Sequence, residues 1–440
     1  MTRTRFDLSK VARLAALGLG GLLVALSTGC KWANLSGPQS TIVTEGPVAK
    51  AQLDVFMVTV YVTTFIFIVV GSVLAYAQIR FRAKSSADEK TPPPPQGHGN
   101  PFIELGLIVA SISLLVIIAI PTLKNIWYTH DVPEAEKGSA MDVTAHGYQW
   151  WFKFEYNTER TLNPDGTEGG NLVTGNELVV PVNVPVRVHL RTVDVIHSFW
   201  VPKLAGKVDM IPNRANQLWF KAEKPGYYYG QCAEYCGESH AIMRFRVIAL
   251  SPSDYVKWLD NQKRGARDVT AASLAAAAET PRAEFASFKD TGPGSVLAGS
   301  TQFDADPFAA WKTMQKPAAG ENAALIAKGK ELFGAKQCMN CHTVRGHANA
   351  SGAPYGGLTA PDLTHVGARS SIAAGVLENT DERLAQWLKD PAYFKPGNKM
   401  VHGIGGMAGY LRYENGKPVQ NISLTDADIQ ALVAYLHSLK

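Results

Sequence analysis

Two stretches without charge limit this chain before any other feature does. Val55 to Ile79 contains no Asp, Glu, Lys or Arg, enough for a helix of about 37 Å. Leu105 to Leu123, bounded by Glu104 and Lys124, is a second such run. A bilayer interior admits backbone only where its hydrogen bonds close within the segment, so the pair predicts a transmembrane α-helical hairpin over 50–130, with helices near 53–79 and 103–126. Pro121 falls near the end of the second run, where a helix terminus accommodates it. The connection sets Arg80, Arg82, Lys84 and Lys90 against Asp88 and Glu89 and continues into Pro92 to Pro95. That positive excess predicts a cytoplasmic loop and places everything after Trp127 outside. Residues 1–30 have the layout of an export signal or N-terminal anchor: Arg3, Arg5, Lys10 and Arg13, then an uncharged run from Leu14. They end in Leu26-Ser27-Thr28-Gly29-Cys30, a lipoprotein-like box with Ser27 where an aliphatic residue is usual.

The chain of 440 residues, 46% hydrophobic and 18% charged, has material for two or three domains beyond the membrane, and the composition excludes a disordered chain. The net charge of +5 is spread without a Lys/Arg block interleaved with aromatics, so no nucleic-acid partner is expected. From Met141 to Leu250 short alternating runs, Glu177 to Val182 and Val186 to Leu190 among them, are broken by Pro164-Asp165-Gly166 and Lys224-Pro225-Gly226. This predicts an all-β sandwich occupying 138–260. Gly147 to Tyr156 reads as one strand with aromatics on both faces, and His146 and His189 read as structural. Residues 261–320, rich in Ala, Ser, Gly and Thr, read as a flexible linker with a short helix near Phe308 to Met314.

The five cysteines divide into Cys30 and two pairs. Cys232 and Cys236 converge from one tight loop, with His240 and Met243 returning on its far side, and His197 is the upstream imidazole best placed to join them. Thiolates, imidazole and a weak thioether are the donors of copper electron-transfer sites. Zinc would accept Cys, Cys and His but seldom a thioether, and a disulfide is the competing reading outside the cytoplasm. In 321–440, Cys338-Met339-Asn340-Cys341-His342 is a c-type haem attachment signature, with His342 as proximal ligand; a redox Cys-x-x-Cys competes. A methionine should supply the sixth ligand. Met400 and Met407 are the candidates; the stretch Lys395-Pro396-Gly397-Asn398-Lys399-Met400 resembles the Lys-Pro-Gly-x-x-Met pattern of cytochromes c, a resemblance that favours Met400 and sets His365 and His402 behind both. Leu325 to Phe333 reads as a helix, and Thr425-Asp426-Ala427-Asp428 caps a last helix with Ile429, Leu432, Val433, Leu436 and Leu439 on one face.

The Cys-x3-Cys-x3-His-x2-Met loop with His197-Ser198 resembles the subunit II family of cytochrome c oxidases. The Cys-x-x-Cys-His motif and its flanking helices resemble class I cytochromes c, so the whole resembles the caa-type variant, in which a cytochrome c is fused to subunit II. The resemblance implies a cupredoxin-like Greek-key sandwich and an all-α cytochrome domain. It implies a dinuclear copper centre, CuA, bridged by Cys232 and Cys236, with His197 and His240 on one copper each, Met243 as a weak ligand and Glu234 ligating through its backbone carbonyl. It makes Trp150 the electron entry point, and it matches Asp209 and the Glu234 side chain to the carboxylates of a magnesium site at the contact with subunit I. Glu104 matches a glutamate associated with proton entry, although an ordinary helix-start acid reads the same way.

The implied function is electron relay in a terminal haem-copper oxidase of the bacterial inner membrane, from a cytochrome c or cytochrome bc donor through covalent haem c and CuA to subunit I, beside subunit III. Oxygen reduction and proton translocation belong to the complex. A copper-containing nitric oxide reductase or a membrane-tethered copper assembly factor are the alternatives.

Overall fold

The computed structural model describes residues 37–89, 92, 97, 99–276, 307–318, 320–403, 409–415 and 417–440. The export segment ending at Cys30 and the competing haem ligand Met407 lie outside the described residues.

The two apolar runs form α1 (Pro47–Arg80) and α2 (Pro101–His130). Each opens on proline at its first turn, where a missing N–H costs nothing, and the Asn100 side chain caps α2 by accepting from the Phe102 and Ile103 amides. Both are longer than the uncharged runs. Polar turns extend them at the outer end, where Lys50 and Asp54 pair at 3.0 Å one turn apart. Their middles face outward, with Phe67 at 78% and Leu115 at 66% exposure, apolar surface that needs lipid or partner helices.

The outer ends of the hairpin are bonded into the next domain. Val48 and Val132 are buried in its core, the Glu45 amide donates to Lys203 O at 2.8 Å, and Trp219 Nε1 donates to Tyr128 O at 2.9 Å. Arg187 bridges Asp131 (2.9 Å) and Asp142 (3.1 Å), closing the junction between α2 and the sandwich.

Ten strands follow: β1 (Met141–Tyr148), β2 (Trp151–Leu162), β3 (Glu168–Gly175), β4 (Glu177–Pro181), β5 (Val186–Thr192), β6 (His197–Trp200), β7 (Val208–Met210), β8 (Asn216–Phe220), β9 (Gly226–Cys232) and β10 (Arg244–Leu250). They make two five-stranded sheets, β3-β2-β1-β5-β8 and β4-β10-β9-β6-β7, each containing one parallel pair, β1 with β5 and β4 with β10. Alternation fixes the faces: Phe152, Phe154 and Tyr156 of β2 are fully buried, while Lys153 and Glu155 between them point outward. The aromatic stretch is two strands rather than one. Gln149 and Trp150 form the turn of a hairpin whose last pair, Tyr148 and Trp151, stacks at 4.5 Å. Long-range bonds hold that turn, among them Gln149 N to Asp194 Oδ2 at 2.7 Å, and no local sequence signal reports them.

Helix α3 (Pro252–Lys263) packs Trp258 and Leu259 on the sandwich, so this domain runs slightly past the expected 260. The described ends of the expected linker are fixed rather than free. The Ala266 amide donates to Arg345 O at 2.8 Å, Arg267 pairs with Glu321, and α4 (Pro307–Met314) buries Ala310, Trp311 and Met314. The last domain is helical, built on α5 (Ala323–Ala335), α6 (Asp381–Lys389) and α7 (Asp426–Ser438), with three short two-stranded sheets in the chain between α5 and α7. A Cβ on Gly329 would lie 2.0 Å from Ala431 O and 2.6 Å from Tyr435 Cβ, so only glycine allows α5 and α7 to cross this closely. Phe333 meets Tyr435 at 5.6 Å beside that crossing.

Candidate copper centre and haem cavity

The first site closes where β9 gives way to β10. The Cys232 amide donates to Met243 O at 2.9 Å, tying the loop at its base. Within it Gly237 takes φ +118°, a left-handed position that reverses the chain, and a short turn over His240–Ile242 brings His240 back. The pairing of β6 with β9, Phe199 opposite Cys232, carries the buried His197 to the same place. The ligand atoms of His197, Cys232 and Cys236 lie within 4.8 Å of one another.

Around the two free sulfurs, 3.8 Å apart, the other donors divide into two groups. His197 Nδ1 (3.9 Å) and Glu234 O (3.2 Å) stand beside Cys232, while His240 Nδ1 (3.5 Å) and Met243 Sδ (3.8 Å) stand beside Cys236. Asp194 Oδ1 accepts from His197 Nε2 at 2.8 Å, which fixes the ring proton on Nε2 and leaves the Nδ1 lone pair facing the sulfurs. A hydrogen bond from Cys236, working against burial, pulls the Cys232 thiol well down, and the same contact pushes Cys236 up. The pair thus holds one proton between two sulfurs, and a bound cation would take its place. Two thiols, two imidazoles, a thioether and a carbonyl match the soft donor set of copper electron-transfer sites.

The second site is a cavity of about 230 Å³ in the helical domain, walled by Cys338, Cys341, His342 and Met400 together with Phe333 and Leu432. His342 Nδ1 donates to Pro361 O at 2.8 Å, since a carbonyl can only accept, and Nε2 is left free for an iron. Burial lowers the His342 pKa and keeps the ring neutral, the form that ligates. A Cβ on Gly357 would lie 2.3 Å from the Cys341 carbonyl carbon, so the chain passes close over the attachment turn. Two thiols, a neutral imidazole and a thioether on one apolar cavity suit a covalent haem c. Neither His365 nor His402 lines it.

The two sites meet at the β1–β2 hairpin. Tyr148, Gln149, Trp150 and Trp151 form part of the haem cavity's wall, while Gln149 Nε2 (2.9 Å) and Trp150 Nε1 (3.1 Å) both donate to Cys236 O. A Cβ on Gly397, three residues before Met400, would lie 2.9 Å from the Trp150 ring.

Residues 141–250 match the model of the cytochrome c oxidase subunit II periplasmic domain, and 326–440 match that of cytochrome c. A cytochrome c oxidase subunit 2 of Alkalihalophilus pseudofirmus is 30% identical over 90% of this chain and 89% of its own length. This chain belongs to the cytochrome c oxidase subunit II family. Cytochrome c oxidase subunit 2 of Bacillus sp. strain PS3 is 29% identical over 96% of each chain. The solved periplasmic domain of subunit II of cytochrome oxidase from Bradyrhizobium japonicum is 33% identical, covering 28% of this chain and 93% of that one, with a TM-score of 0.24.

Membership makes the chain a subunit of cytochrome c oxidase with a fused cytochrome c domain, serving electron transfer to the oxidase. It is anchored by two helices, holds its subunit II domain in the periplasm and works beside a subunit I partner. Among the remaining residues predicted for an oxidase subunit II, Asp209 lies on β7 opposite Ser198, and Glu234 approaches Lys207 at 3.9 Å. Neither joins a cluster of three metal-type ligands among the described residues. Glu104 is exposed in the first turn of α2.

Among the contacts between the domains that sequence reasoning missed, two are made by buried ionisable side chains. Glu177 of β4 is buried and accepts from Ser370 N (2.9 Å), Ser370 Oγ (2.7 Å) and Trp311 Nε1 (3.0 Å); burial outweighs these donors and raises its pKa. Lys395 is buried and donates from Nζ to Ile242 O at 3.1 Å. No motif marks Glu177, and the stretch that holds Lys395 points to the haem ligand Met400 rather than to the Ile242 carbonyl.

Proposed function

We propose that the chain is the electron-relay subunit of a caa-type oxidase in a bacterial inner membrane, with both outer domains on the periplasmic side. A haem c on Cys338, Cys341, His342 and Met400, and a dinuclear CuA on Cys232, Cys236, His197, His240, Met243 and the Glu234 carbonyl, would supply one-electron chemistry at adjacent sites. The observation that carries this reading is the hairpin wall: Trp150 borders the haem cavity on one side and bonds the carbonyl of Cys236 on the other.

The residues divide the work. Asp194 orients His197 and Pro361 O orients His342, so each imidazole presents one nitrogen without reorganising. Phe333, Leu432 and the aromatic hairpin exclude water from the cavity, and Trp150 is 7% exposed beneath the cytochrome domain. An external donor, a cytochrome c or a cytochrome bc complex, would therefore deliver to the fused domain and not to Trp150. Asp209 and Glu234 would hold magnesium only with ligands from subunit I. Glu104 would stand at a proton entrance on the cytoplasmic side, and subunit III completes the complex.

Low-temperature electron paramagnetic resonance on the detergent-solubilised full chain tests this. A seven-line mixed-valence copper signal, abolished in Cys232→Ser, beside a low-spin haem that loses its methionine ligation in Met400→Ala, is expected. A four-line mononuclear copper signal would overturn the dinuclear assignment, and unchanged haem ligation in Met400→Ala would overturn that of Met400.

A further inference from the structure

The cytochrome domain holds both peptide groups that flank Met243. On one side, the Ile242 carbonyl accepts from Lys395 Nζ at 3.1 Å. On the other, the Arg244 amide donates to Ala374 O at 3.1 Å. Met243 is itself completely buried, and its own backbone closes the copper loop through His240 O (3.1 Å) and the Cys232 amide (2.9 Å).

Lys395 reaches this place because three consecutive residues of the cytochrome domain grip the copper loop. Pro396 O accepts from Ser239 Oγ at 2.6 Å, and a Cβ on Gly397 would lie 2.4 Å from Glu238 Oε2. Gly397 has φ +71° and bends the segment so that Lys395 points into the copper domain while Met400 walls the haem cavity. The Lys395 ammonium also reaches Ala373 O at 3.4 Å, in the segment Ala373-Ala374-Gly375, whose residues all have positive φ and whose Gly375 O accepts from Arg246. A 4% exposed lysine that donates across a domain boundary to a carbonyl of the copper loop is a costly choice for packing alone.

We infer that Lys395 is a positioning residue of the copper site: by fixing the Ile242–Met243 peptide it seats the Met243 thioether, so that the properties of the copper centre depend on the cytochrome domain being docked. This rests on the copper reading proposed above and adds a control by the fused domain. A weak axial thioether tunes the potential of such centres, so a small shift of Met243 is read directly as a spectral and potential change.

The test uses the full chain as wild type, Lys395→Met and Lys395→Gln, with Ser239→Ala as a milder break of the same clasp. In the copper-free proteins, hydrogen exchange of segment 239–244 should quicken about tenfold in Lys395→Met, the loss of one buried hydrogen bond, and less in Ser239→Ala. In the copper-loaded proteins, the mixed-valence signal should persist in Lys395→Met with altered hyperfine splitting and a shifted copper potential, changes that loosened packing elsewhere would not produce. Lys395→Gln, which keeps a shorter donor, should fall between. Unchanged exchange, splitting and potential in Lys395→Met, with the haem spectrum intact, would overturn the inference. If Lys395→Met does not fold, the same null result in Lys395→Gln and Ser239→Ala together overturns it. A wild-type chain without a mixed-valence signal would bring down the copper reading first and this inference with it.

Discussion

The two redox sites are built in opposite ways. The copper site draws all its donors except His197 from one loop, Cys232 to Met243, clamped at the mouth of two strands whose domain has a large core of its own. The haem site draws from Cys338 to His342 and from Met400, and several of the domain's buried core residues, Phe333, Leu384, Leu388, Leu432 and Leu436 among them, wall its cavity. One site is set into a finished fold, and the other is the centre around which its fold closes. Losing the metal and losing the haem should therefore have very different structural consequences.

The strongest test of that contrast removes both attachment thiols. The Cys338→Ala/Cys341→Ala chain should lose covalent haem and with it the cooperative unfolding of 321–440, read by circular dichroism and limited proteolysis. Cys232→Ser should abolish the copper signal and leave the sandwich transition largely in place. A cytochrome domain that stayed folded without haem would break the comparison.

Gly329→Val comes next, because its Cβ alone would meet Ala431 O at 2.0 Å. The crossing of α5 and α7 should lose about 3 kcal/mol, measured by denaturant unfolding of the haem-bound chain, with the copper signal unchanged.

A smaller effect is expected at the joint between the sites. Glu177→Ala would leave Ser370 N and Trp311 Nε1 without this acceptor, Ser370 Oγ keeping Tyr227 OH as a partner, and should cost about 2 kcal/mol in thermal unfolding. Burial raises the Glu177 pKa, so between the ordinary value of 4.5 and its raised value the folded chain holds a proton that the unfolded chain has released. The stability this contributes is full below the unfolded value and is lost as pH rises through the folded one. Glu177→Gln, which stays neutral, should show less loss of stability than wild type between pH 4.5 and neutrality.

The least destabilising change is Trp150→Phe, which removes one hydrogen bond to Cys236 O and should cost about 1 kcal/mol. Electron transfer from haem to copper, followed by flash photolysis of the full chain, should slow several-fold more than that stability loss would suggest.

What the sequence disclosed follows the same division. Residues a few positions apart, Cys232 with Cys236, Cys338 with His342, and the uncharged spans of α1 and α2, announce themselves because their chemistry is encoded in spacing. The break of Gly147 to Tyr156 into two strands did not, because the turn at Gln149 and Trp150 answers to Asp194 and Cys236, distant in sequence. Lys395 was legible only as part of a haem-ligand motif. Its partner, the Ile242 carbonyl, is a backbone atom 153 residues away and carries no side-chain signature. Residues 261–320 read as a flexible linker from composition, with a short helix expected only near Phe308 to Met314; α4 forms there, and the Glu177 carboxyl that its Trp311 meets carries no signal in the sequence.

The junction of hairpin and sandwich carries a consequence for assembly. With Val48 and Val132 buried in the sandwich core, Tyr128 O holding Trp219 and Arg187 bridging Asp131, the copper domain stands on the membrane as on a rigid mount. Its height and bearing are set by the helices below it. An acceptor embedded in the same bilayer would then meet the copper domain at a fixed height from the moment the helices pack together, with no diffusional search and little of the orientational entropy that a tethered carrier gives up at each encounter.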